Sequence, residues 1–64
     1  MLEQLILREH FTEILEMARA AADHCDRLAG SAAKPAERQQ FERLGRDKRR
    51  HAELTERLLE IVSE

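Results

Sequence analysis

Residues 28–37 read LAGSAAKPAE, and this stretch divides the chain in two. On either side of it apolar residues recur at steps of three and four, the pattern of an amphipathic helix. Gly30 stands where a left-handed residue commonly closes a helix. Ser31 to Lys34 form the turn, and Pro35 fits the first turn of a new helix, where its missing N–H is no loss. Glu37 lies near enough to favour the dipole at that helix's start. A connection this short makes the two helices antiparallel neighbours. The expectation is an all-α fold, a two-helix antiparallel hairpin in one domain over residues 1–64. Its first helix covers about 2–29, its turn 30–34 and its second helix about 35–62.

Composition agrees. Charged residues make up 38%, aromatics 3%, and the Gly and Pro count is three. Alanine, leucine, glutamate and arginine, strong helix formers, dominate. So charged a chain could be disordered, but disorder brings few apolar residues and no periodicity; here 42% are apolar and they recur regularly. A chain of 64 residues leaves much of its apolar surface uncovered when it folds alone, and small domains recruit disulfides, metals or other subunits. Cys25 is the only cysteine, so an internal disulfide is excluded. A lone thiol suits a reducing compartment, and a cytoplasmic location is expected. The start, MLEQLIL, carries Glu3 and lacks a basic lead, unlike a signal peptide. No apolar run approaches the ~20 residues that span a membrane.

In the first helix the main apolar stripe runs Leu7, Phe11, Ile14, Ala18, Ala21, Cys25 and Leu28, widened by Leu15, Ala22 and Ala29. In the second the inward line is Phe41, Leu44, Asp47 or Lys48, His51, Leu54 or Thr55, Leu58, and Ile61 or Val62. If the turn centres near residue 32, Gly45 lies across from Ala20 and Ala21. A close backbone approach is then the natural reason for a glycine inside a helix. Two helices cannot enclose a core. Leu2, Leu5 and Ile6 lie off the main stripe, and an exposed apolar patch marks a partner surface. The simplest partner is a second copy, giving a homodimer or higher homo-oligomer in which two hairpins form a four-helix bundle.

Charge is unevenly placed. Residues 1–31 hold six acids and three bases, residues 32–51 three acids and seven bases, and residues 52–64 four acids and one base. Arg43, Arg46, Arg49 and Arg50 follow roughly helical spacing, and such a cationic face suffices to hold phosphates. The hairpin architecture is similar to that of the Rop family of plasmid RNA-binding proteins, which implies RNA binding by a dimeric four-helix bundle. Against nucleic acid stand Glu42 and Asp47 within the patch, the absence of Trp and Tyr for stacking, and an overall charge of −2.

Residues 41–61, FERLGRDKRRHAELTERLLEI, resemble the later helix of a ferritin-like or rubrerythrin-like half-bundle. There a Phe-Leu pair precedes a Glu-x-x-His ligand motif, and leucines follow on the inner face. His51 matches the motif's histidine; Lys48 stands where the motif has its glutamate. The resemblance implies a half-bundle with a metal site, and Lys48 puts a cation where an iron ligand belongs. A metal site outside that pattern is a separate possibility. His10 and Glu13 share a face of the first helix, and a register placing Glu13 near residue 52 brings them towards His51, with Asp47 one turn away. Imidazole and carboxylate suit zinc or iron. The simpler expectation is that His51 is partly buried, hydrogen-bonded to Glu13, and needs no cofactor. Polar residues in mid-stripe, here Asp47, Lys48 and His51, can also set the register of a bundle and its choice of partner.

No catalytic arrangement competes with these readings. There is no glycine-rich phosphate loop, and Cys25 and His24, adjacent on a helix, point about 100° apart. The functional expectation is a structural or protein–protein interaction module and not an enzyme.

Overall fold

The computed structural model describes residues 2–63. It consists of two helices, α1 (Leu2–Ser31) and α2 (Pro35–Ser63), packed antiparallel along a rod of 50 × 13 × 10 Å. The all-α hairpin expected from the sequence is the fold found. None of its described helices is long and apolar enough to cross a membrane.

Helix α1 runs two residues further than its glycine suggested. Gly30 stays helical, and no described glycine has a positive φ. The end is satisfied in another way. The Ser31 hydroxyl donates back to the carbonyls of Arg27 and Leu28, at 3.1 and 3.3 Å. The Ala32 amide bonds Ala29 O, and the Arg38 guanidinium reaches Ala32 O at 3.3 Å. With the Leu28 carbonyl met by a hydroxyl and the Ala29 carbonyl by the Ala32 amide, part of the helix end is satisfied without a left-handed residue. Ala32 to Lys34 make the loop, and Pro35 opens α2 as expected.

Small residues fill most of the fully buried positions of the seam between the helices. Leu15, Ala22, Cys25 and Ala29 are its buried positions on α1, with Phe11 and Ala18 half-buried; Gly45, Ala52 and Thr55 are its buried positions on α2, with Phe41, Lys48, Leu59 and Val62 half-buried. Both lines step by three and four, so they occupy the a and d positions of a heptad. The Thr55 hydroxyl is satisfied by donating to His51 O at 2.8 Å. Such side chains let two helices approach at the short end of the usual ~8–10 Å range.

The inward line on α2 therefore matches the expected one at alternate positions only: Phe41, Lys48, Thr55 and Val62 face the seam, whereas Leu44, His51 and Leu58 give way to their neighbours Gly45, Ala52 and Leu59. Ala52 is buried and His51 exposed; Gly45 is buried and Leu44 exposed. The register also differs. A Cβ built on Gly45 would meet Cys25 Cβ at 3.5 Å and Asp26 Oδ1 at 3.1 Å; the glycine faces Cys25, not Ala20 and Ala21. Part of the difference is the lean of side chains towards the start of their own helix. In an antiparallel pair an α1 side chain leans away from the turn and an α2 side chain towards it. Each α2 residue then meets a later α1 residue than a symmetric count about the turn allows.

Candidate functional site

The seam has two flanks, and they differ. Along one, the heptad e positions carry ions. Arg19 Nη2 meets Glu56 Oε2 at 3.2 Å, and Arg49 pairs with Asp26. The hydrogen bond to Asp26, reinforced by its negative charge, pushes the Arg49 pKa up from its already high value. These pairs join α1 to α2, so this flank is closed by the chain's own charges.

Along the other flank, the g positions carry Leu7, Ile14, Ala21 and Leu28 on α1, and Leu44, His51 and Leu58 on α2. Met17, Leu54 and Ile61, at c positions, broaden the strip. Leu44 and Leu58 are each 46% exposed, Leu54 48% and Ile61 64%. No ion pair joins the helices on this side among the described residues. A shallow groove here is lined by Ile14, Met17, Ala18 and Ala21 from α1 and by Lys48 and His51 from α2. A second runs along α2 past Leu44, Asp47, Lys48, His51 and Leu54, with Arg50 at its edge. The strip is apolar at both ends and polar at mid-length.

The residues singled out in the sequence fall as follows. Leu2, Leu5 and Ile6 are exposed, as an oligomer contact requires, but they occupy only the first turns of α1. The larger apolar surface is the g/c strip, whose g residues were expected inside the hairpin; Ile14, Ala21 and Leu28 are half-buried there, and Leu7, Leu44, His51 and Leu58 are exposed. Size misled that reading: the bulkiest aliphatics look like core, whereas a close seam selects small residues. The signal that could have found the strip is the second heptad line, 7-14-21-28 against 44-51-58, running beside the line of alanines.

His10, Glu13, Asp47 and His51 do not gather. Glu13 faces a groove of α1 with Arg8, Glu9, Thr12 and Glu16, His10 lies against Phe11 with ring centroids 6.2 Å apart, and Asp47 and His51 share the α2 groove. Among the described residues no three His, Cys, Asp or Glu side chains are placed to hold one ion. His51 is exposed, and Glu13 is not its partner. Of the four arginines, Arg49 is tied to Asp26, while Arg43, Arg46 and Arg50 are exposed and by helical spacing face away from α1. Cys25 is buried as a free thiol beside Gly45.

Compared with known proteins, the chain matches no family model, no curated protein and no solved structure.

Proposed function

We propose that this chain is a structural or interaction module, a two-helix subunit that self-associates through its g/c strip into a homo-oligomeric bundle. Two hairpins forming four helices are the simplest case. The observation that carries this reading is the contrast between the flanks: one is closed by ion pairs, the other is a strip of large exposed aliphatics.

Energetics point the same way. The buried apolar residues of the seam are one leucine, three alanines and a cysteine. Burying a full aliphatic side chain contributes about 1.5–3 kcal/mol, and alanine far less. Such a seam stabilises a lone hairpin only weakly, and no disulfide can supplement it. Covering the strip would bury the missing leucines. A face of 50 × 13 Å amounts to about 650 Å² per copy, close to the ~800 Å² per partner of a standard interface. The likeness of residues 41–61 to a ferritin-like half-bundle supports the same reading, since a half-bundle is a hairpin that pairs with another.

The test is thermal unfolding followed by circular dichroism over a hundredfold range of concentration. A dimer that melts with dissociation should gain roughly 5 °C in Tm for each tenfold increase. A compact hairpin whose Tm ignores concentration would overturn the proposal.

A further inference from the structure

We infer that the two copies pair antiparallel about a two-fold axis passing at the level of His51 and Met17, so that the turns lie at opposite ends of the bundle. This rests on the self-association proposed above and adds its geometry.

The first support is the spacing of the strip. An isologous contact requires that if residue i meets residue j of the second copy, then j meets i. On α2 the line Leu44, His51, Leu58 is symmetric about His51: Leu44 would meet the second copy's Leu58, and His51 its own counterpart. On α1 the line Leu7, Ile14, Ala21, Leu28 is symmetric about the level of Met17 and Ala18. A single axis can serve both helices only if those two centres lie at one height. They do, because Met17, Ala18, Lys48 and His51 line one groove with Ile14 and Ala21 on either side.

The second support is charge. The half of the hairpin nearer the turn, residues 18–48, holds five acids and seven bases; the open half, residues 1–17 and 49–64, holds eight acids and four bases. Antiparallel pairing sets each basic half against an acidic one. Parallel pairing, with the axis along the rod, sets like against like, and such juxtaposition disfavours an arrangement. The axis direction also decides neighbours. In the antiparallel form α2 packs on α2 and α1 on α1; in the parallel form α1 packs on α2 of the second copy.

The experiment is pulsed dipolar spectroscopy on full-length chains spin-labelled at one site, in a Cys25→Ala background. Lys34→Cys labels the loop. His51→Cys labels the inferred axis. Antiparallel pairing predicts a loop-to-loop distance of about 40–50 Å, nearly the length of the rod at ~1.5 Å per residue, together with a distance under about 20 Å at position 51. A short loop-to-loop distance would overturn the antiparallel geometry while leaving self-association standing. Loss of all intermolecular coupling in the Lys34→Cys chain, which keeps the strip intact, would overturn self-association itself. If the Cys25→Ala background fails to fold, amine-reactive cross-linking of the unaltered chain makes the same distinction: loop Lys34 links to its counterpart in the parallel form only.

Discussion

Gly45 is buried in the seam, against Cys25 and the carboxylate of Asp26. An added methyl meets ordinary contact at Cys25 and a tight one, 3.1 Å, at Asp26 Oδ1. That oxygen ends a side chain that can shift by a few tenths of an ångström. Gly45→Ala should therefore be neutral or stabilising by up to about 1 kcal/mol, helix propensity offsetting the adjustment. Gly45→Leu forces the seam apart and should cost about 1–3 kcal/mol or more. Chemical denaturation decides it, and a stabilised Gly45→Leu chain would show that the seam does not close there. A close approach at this glycine was legible from its place inside a helix; its partner was not, because a count about the turn does not fix how far one helix slides along the other. His51 was legible as the odd residue in an apolar line. That this line faces outward was not, since only the burial of Ala52 reveals which neighbouring line forms the seam. His51→Leu makes the line 44-51-58 continuous and should tighten association by about tenfold or more, with less selectivity for one arrangement. Unchanged or weaker association would place His51 outside the interface. Elemental analysis of chain purified without chelators or a metal-affinity tag bears on the same residue. Near-stoichiometric iron or zinc, lost in His51→Leu, would favour the half-bundle metal site over a purely apolar contact.

Each helix carries two adjacent heptad lines, one small and one large. Periodicity alone locates the helices, and the break at residues 30–35 locates the turn, so the hairpin could be read from the sequence with ends right to within two residues. Choosing between the lines is a different problem. The expected stripe alternated between g and d positions and so straddled seam and strip. Close packing favours alanine and glycine, which leaves Leu44, Leu54 and Leu58 on the exposed strip. Two candidate contact surfaces follow, the first turns of α1 and the g/c strip, and they can be separated. Leu44→Lys with Leu58→Lys should raise the dissociation constant a hundredfold or more, through lost burial and like charges across the contact. Leu2→Lys with Leu5→Lys should change it by less than about tenfold. The reverse order would move the interface to the start of α1. On the ion-paired flank, Arg19→Ala should cost no more than about 1 kcal/mol, because both partners are about half exposed. A larger loss would mean that this flank also lies in a contact.

At the scale of the whole molecule the hairpin is a rod with one face unfinished. Its small-residue seam orients two helices, its ion pairs close one flank, and its large aliphatics lie along the other. That division explains how so short a chain, without a disulfide, can combine a thin core with a long apolar strip. Sedimentation equilibrium tests it most directly, on the unaltered chain at micromolar concentrations and above, beside the Leu44→Lys, Leu58→Lys chain. The account predicts a mass of at least twice the 7.5 kDa protomer for the former and a shift towards the protomer for the latter. An unaltered chain that sediments at 7.5 kDa, folded and indifferent to concentration, would contradict it.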